Sequence, residues 1–322
     1  MKRDETIDTL RGLAMLAMII LHAASYYFGS RTTYLIWDNL QWAVPVFLFC
    51  SMTLFYEKHK EFPVKNWAGY LKKRFTRLLV PYYIFLFAYF PLVYFFNNRN
   101  FNLQYLAANL FLYKGLDFNW LVLLFIYLTF LMPVVLILRL KNKPVFYGYF
   151  VLSLISSVYF IFSPINYRAV MWLPWSIYIY FTIFFLKYRH NKKFLFRTAF
   201  IAGMTFFALR FFEMKTGHNL SQFANKYPPT LYHLSFGAFW IIILQWLTEK
   251  RVFDFEWFKK IIHFLSVNSY SLFFIHVLVM FTIDWLHIRP PNWPLFFVEV
   301  IFASSGIQLA LNSFGRLLKT IL

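Results

Sequence analysis

The sequence predicts an all-α polytopic integral membrane protein with about ten transmembrane helices and both termini in the cytoplasm. Three observations carry that expectation. Of 322 residues, 60% are hydrophobic and 24% aromatic while 14% are charged, which is too apolar for an ordinary soluble domain of this length. The apolar residues fall in successive runs of about 20, the length that crosses a bilayer as a helix. Lys and Arg alternate between rich and poor loops, as positive-inside sorting requires.

The runs place spans at 9–28, 36–56, 78–97, 119–138, 145–163, 171–187, 196–213, 230–248, 265–285 and 294–313. With the N-terminus inside, 24 of the 32 Lys and Arg fall on the cytoplasmic side. The other 8 are Arg31, Arg99, Lys114, Arg168, Arg210, Lys215, Lys226 and Arg289. This bias accounts for the net charge of +19, so no nucleic-acid partner is expected. The single cysteine, Cys50, excludes an intramolecular disulfide and a Cys-based zinc site. MKRDE followed by an Arg-bearing span does not have the form of a cleaved signal peptide. One transmembrane domain over 1–322, with no soluble extension, is expected.

The first run, IDTLRGLAMLAMIILHAASYYF (7–28), carries two ionisable residues, Arg11 and His22. Their spacing is about 3.06 helical turns, so the two differ by only about 20° around the helix and by about 16 Å along it. With Arg11 near one membrane face, His22 lies near the midplane. Met15 and Met18 continue the same stripe, and Asp8 stands where it can hold the guanidinium. An ionisable group inside a span is a functional-site candidate. The plainer reading is a snorkelling Arg and a packed His.

Further along, NWAGYLKKRFTRLLVPYY (66–83) sets Lys72, Lys73, Arg74 and Arg77 among aromatic and aliphatic residues. It reads as a basic interfacial helix leading into the third span, with Pro81 in that span's first turn. Such a stretch either answers anionic lipid or cradles a phosphate-rich cytoplasmic ligand. Trp120 reads as an interfacial anchor. MKTGHNLSQFANKYPP (214–229), flanked by Arg210, Glu213, Tyr232 and His233, is the most polar extracytoplasmic stretch. It suits carbohydrate or a plain solvated loop. His276, Asp284 and Glu299 are ionisable groups in the last two spans and need partners there, with Arg289 placed to serve Asp284.

No P-loop, Rossmann fingerprint, HExxH helix or G-x-S-x-G elbow occurs. What remains is a mid-membrane His, an Arg three turns below it and a basic cytoplasmic stretch. A neutral imidazole takes a proton from a hydroxyl, or accepts an acyl group itself.

IDTLRGLAMLAMIILH resembles the first-span signature of the membrane acyltransferase family 3, with Arg11 and His22 matching its paired Arg and His. VPVFLFCSMTL (44–54), LKKRFTRLLVPYY (71–83), NWLVLLFIYL (119–128) and SYSLFFIHVLV (269–279) are similar to further motifs of that family. The chain departs at Ser51-Met52, where the family usually carries Ser-Gly, and at Asn119, where it often carries His.

The resemblance implies a multi-pass bacterial inner-membrane O-acyltransferase. It would move an acyl group, most often acetyl, from cytoplasmic acyl-CoA to a hydroxyl of an extracytoplasmic glycan or glycolipid. It gives His22 and Arg11 as catalytic and Arg11, Arg74 and Arg77 as the donor site; Lys73 joins that site by its place in the basic stretch, and the residues themselves make Tyr232, His276 and Glu299 substrate-binding candidates. Acetyl-CoA would be a co-substrate, membrane lipid a partner, and neither a tightly bound cofactor nor a metal is expected. The competing reading is a proton-coupled transporter or glycan exporter with His22, His276 and Glu299 as relay groups. The lack of an internal repeat and the ten glycines weigh against it.

Overall fold

The computed structural model describes residues 4–59, 66–97, 101–162 and 166–321, with side chains to 317. Lys2, Arg3, Lys60, Lys65, Arg99 and the side chain of Lys319, all part of the charge count, lie outside the described residues. The described chain is helical: α1 Glu5–Ser25, α2 Arg31–Asn39, α3 Ala43–His59, α4 Trp67–Phe96, α5 Leu103–Leu110, α6 Asn119–Lys141, α7 Lys143–Tyr159, α8 Tyr167–Val170, α9 Trp172–Trp175, α10 Ile177–Tyr188, α11 Lys192–Thr216, α12 Leu231–Glu249, α13 Glu256–Val267, α14 Ser269–Trp285 and α15 Trp293–Ile321. A 3-10 turn, Leu40–Trp42, joins α2 to α3.

Local chemistry starts several of these helices. Asp4 caps α1, its Oδ1 accepting from the backbone N–H of Thr6 at 3.0 Å and of Ile7 at 3.4 Å. Asn142 and Asn191 cap α7 and α11 in the same way. Gly217 ends α11 at φ +75°, the left-handed conformation that glycine adopts without a Cβ clash.

All ten expected spans fall on helices, but fewer are full crossings by length and apolarity. Eight helical segments qualify alone, and α13 with α14 makes a ninth if that bent pair is one span. The remaining expected span, 145–163, is α7, whose 17 residues rise only about 26 Å. The basic stretch before the third span is also corrected. It is the first part of α4 itself, a continuous helix of 30 residues with Pro81 and Pro91 in its interior. Pro81 has no N–H, so the Arg77 carbonyl loses its usual helical partner.

The described chain divides into two compact units. The first comprises Met1–Ala43, Val80–Leu110 and Phe253–Leu322. Within it α1 packs on α2, α13, α14 and α15. The α13–α14 pair bends by 88° at Asn268. A polar chain ties this bend to α15: Asn268 Oδ1 accepts from Asn312, Asn312 Oδ1 accepts from Gln308, and Gln308 Oε1 accepts from Ser271 at 2.6 Å. The second unit comprises Val44–Leu79 and Phe111–Val252. Its core holds fully buried aromatics whose hydroxyls are satisfied by carbonyls, Tyr178 on Leu234 at 2.8 Å and Tyr180 on Phe146 at 2.9 Å.

Gly12 marks where α1 and α13 come closest, because a Cβ there would collide with the backbone carbonyl and Cγ2 of Ile262. Around Gly148 the space is open. Gly12→Ala is therefore expected to lower stability by about 1–3 kcal/mol through overpacking, and Gly148→Ala to leave it unchanged or slightly raised. Thermal unfolding of the two variants in one detergent checks this, and equal behaviour would remove the close approach from the account.

Candidate functional site

The site is built on α1. Arg11 and His22 both turn toward the α13–α14 segment, as their register predicts. At the lower end three groups close a ring. Arg11 donates from Nη2 to Asp8 Oδ1 at 2.9 Å and from Nε to Ser266 Oγ at 3.1 Å, and the Ser266 hydroxyl donates to Asp8 Oδ1 at 3.2 Å. Asp8 lies in the first turn of α1, where the helix dipole also favours its charge. The guanidinium is thus held by its own helix and by the end of α13. Its side chain remains 24% exposed.

Two turns of apolar residues follow, with Met15 and Met18 buried on the stripe. His22 then meets His276 of α14, Nδ1 to Nε2 at 2.9 Å, with ring planes 9° apart. His276 is fully buried, and its Nδ1 lies 2.8 Å from the carbonyl oxygen of Leu272, one turn earlier in α14. His22 is half-buried. A pair of imidazoles near the middle of an apolar bundle has one evident chemistry, the acceptance and release of a proton.

At the outer end of the same unit, Arg289 pairs with Asp284 at 3.2 Å, as expected, and its guanidinium lies over the rings of Tyr26 and Tyr27. Glu299 is half-buried on α15.

The second unit holds a separate polar cluster. Tyr232 is fully buried, accepts from Arg210 at 2.7 Å and donates to the Leu220 carbonyl at 3.1 Å. Glu213, also fully buried, accepts from Asn225 at 3.2 Å, and His233 Nδ1 meets Gln222 Oε1 at 3.0 Å. Four buried polar atoms here have no hydrogen-bond partner among the described residues: Trp175 Nε1, Glu213 Oε1, Gln222 Nε2 and His233 Nε2. Ser221, Gln222, Asn225 and Lys226 are all buried, so this part of the 214–229 stretch folds inward rather than forming a solvated loop.

Trp120 is likewise no interfacial anchor. It is 3% exposed, stacked on Trp175, and forms with Phe223 and Tyr227 a cage around the Lys226 ammonium at 4.9–5.5 Å. Burial drives the Tyr227 phenol pKa well up. Asn119, the departure from the family motif, accepts from the buried Arg168 and donates to the Lys114 carbonyl. An amide suits that place because it both gives and accepts.

Lys73, Arg74 and Arg77 lie on the first turns of α4. Lys73 and Arg77 are exposed, and Arg74 stands over the Tyr70 ring at 5.8 Å. No carboxylate among the described residues pairs with any of the three. Their offsets put them within about 100° of one another around the helix. Sequence reasoning missed Ser266 and the Leu272 carbonyl. The cue for Ser266 was a hydroxyl ten residues before His276, close to the eleven that separate Arg11 from His22. A backbone carbonyl leaves no mark in a sequence. No group of His, Cys, Asp or Glu is arranged to hold a metal among the described residues.

A family model described as an acyltransferase domain matches residues 4–309, nearly the whole chain. Neither the curated proteins nor the solved structures contain a significant match.

Asp8→Ala removes the acceptor shared by Arg11 and Ser266. The expected loss is about 1–3 kcal/mol of stability, with Asp8→Asn losing less because one hydrogen bond survives. Denaturant unfolding of the two variants in detergent measures it, and no loss in Asp8→Ala would mean that water replaces the carboxylate.

Proposed function

This chain belongs to the membrane acyltransferase family 3, and from that premise we propose that it transfers an acyl group, acetyl in the first instance, from cytoplasmic acyl-CoA to a hydroxyl of an extracytoplasmic glycan or glycolipid in a bacterial inner membrane. The observation that carries the reading is the pairing on α1. A guanidinium held by Asp8 and Ser266 and an imidazole held by His276 sit on one face, about 16 Å apart along the axis. That rise is of the order of the extended pantetheine arm of a CoA thioester.

In this reading His22 takes the proton of the acceptor hydroxyl as the oxygen attacks the thioester carbonyl. The new C–O bond forms, the C–S bond breaks, and the CoA thiolate leaves with the proton returned from His22. Arg11 answers the donor's negative charge with a guanidinium that stays partly open. Among the described residues no carboxylate pairs with Lys73, Arg74 or Arg77, which suits phosphate recognition. Three cations within about 100° of one helix face would meet a nucleotide's phosphates more firmly than one.

Hydroxyl-rich acceptor groups fit the Arg210–Glu213–Tyr232 cluster in kind, because its unpartnered atoms include both donors and acceptors and a hydroxyl serves both. Tyr232 acts there by holding Arg210. Glu299 is assigned to the acceptor on weaker grounds, its half-exposed carboxylate on α15. Acyl-CoA is a co-substrate, and membrane lipid surrounds the apolar helices.

Membranes holding wild type, His22→Ala, Arg11→Ala or Lys73→Ala/Arg74→Ala/Arg77→Ala at matched expression are supplied with labelled acetyl-CoA and cell-envelope glycans. His22→Ala is expected to lose transfer by about 100-fold or more. The Arg11 and triple variants are expected to raise the KM for acetyl-CoA. Absence of transfer in wild type, repeated with succinyl-CoA and a broad acceptor extract, would sink the enzyme reading in favour of a proton-coupled transporter.

A further inference from the structure

We propose that His276 is a positioning residue that locks His22 in one ring tautomer, with the proton on Nδ1 and the lone pair on Nε2. What the lone pair is for rests on the acyl-transfer reading above. The lock itself rests on geometry alone.

The Leu272 oxygen has no proton to give, so its 2.8 Å contact with His276 Nδ1 is an N–H donation from the ring. A neutral imidazole carries one N–H, which leaves the lone pair of His276 on Nε2. That lone pair faces His22 Nδ1 at 2.9 Å, so His22 is the donor in this contact and its own lone pair is on Nε2. The rings are within 9° of coplanar, which lets the His22 N–H point along the lone-pair direction of His276.

The chain carbonyl, His276, His22 has a single direction, and it is set by a group that cannot titrate. Free histidine prefers the opposite tautomer, with the proton on Nε2. The lock therefore does something that packing alone would not. His276 is fully buried, and Leu272 sits one turn back on the same helix, so the first link lies wholly within α14 and needs no group from α1.

When Nε2 of His22 takes a proton, the Nδ1–H bond to His276 becomes charge-assisted and shorter bonds of this kind are stronger. His276 thus supports the imidazolium that forms during transfer by acting through His22. Replacement by Leu removes the acceptor nitrogen. Replacement by Gln places an amide oxygen near the same point and retains an acceptor.

The test uses the full chain in detergent or nanodiscs with ring-15N-labelled histidine, the His22 signals being identified by their loss in His22→Gln. In wild type, Nδ1 of His22 is expected to give the signature of a protonated nitrogen and Nε2 that of an unprotonated one. His276→Leu should move the proton toward Nε2, and His276→Gln should hold the wild-type pattern. A wild-type spectrum with the proton on Nε2 overturns the proposal even if His276→Leu fails to fold, and so does an unchanged pattern in folded His276→Leu.

Where acetyl transfer is measurable, His276→Leu should lower kcat by about tenfold or more with the KM for acetyl-CoA unchanged, and His276→Gln should recover most of it. Equal losses in the two variants overturn the positioning role. Wild type that transfers nothing yet shows the expected tautomer leaves the lock standing and overturns the acyl-transfer reading instead.

Discussion

In the hydrocarbon of a bilayer no water stands ready to satisfy a polar side chain, so a helix that carries one must find its partner on another helix. Helix α1 carries Asp8, Arg11 and His22 in an otherwise apolar run, and much of the first unit is arranged to answer them. Ser266 completes the ring around Arg11 and Asp8, and His276 meets His22. The two partners come from either side of the bend at Asn268, so the segment supplies them from two directions. The close approach at Gly12 and the polar chain from Asn268 to Gln308 follow from the same need.

The second unit meets the constraint differently. It encloses cations, Arg168 with Asn119 and backbone carbonyls and Lys226 among three aromatic rings. Aromatic faces and carbonyl oxygens are acceptors without formal charge, so they hold a cation without adding a second ion to desolvate. The neighbouring Glu213, Gln222, His233 and Trp175 keep polar atoms without a hydrogen-bond partner among the described residues. Such atoms are rare in folded proteins because each costs about 1–3 kcal/mol. Their grouping in one cluster is the observation behind the proposal of a hydroxylic ligand there.

The chemistry assigned to the chain uses few groups, each in a setting suited to it. A guanidinium with a carboxylate and a hydroxyl is fixed in direction but keeps its charge toward an anion. An imidazole hydrogen-bonded on one nitrogen is committed on the other. Cations on α4 that no carboxylate among the described residues pairs have charge to offer to phosphate. Pro81 adds a helical carbonyl, that of Arg77, without its usual partner, in the midst of that basic stretch.

Composition and run length determined the all-helical membrane architecture, because lipid solvation tolerates little else, and the period of 3.6 determined that Arg11, His22 and Asp8 share a face. The matching first-span motif located the family. Helix length was less legible: α4 begins at Trp67, and α7 has 17 residues, the short end of what crosses a bilayer, since hydropathy marks apolar runs and not where a helix starts. Trp120 reads as an interface residue from its neighbours in the chain, but its packing against Trp175 and Lys226 is set by residues far away in sequence. What only the tertiary structure decided is the partner of each polar group. That choice depends on contacts such as Arg11 with Ser266 and His22 with His276, separated by 255 and 254 residues, and on a carbonyl orientation that no side-chain code records.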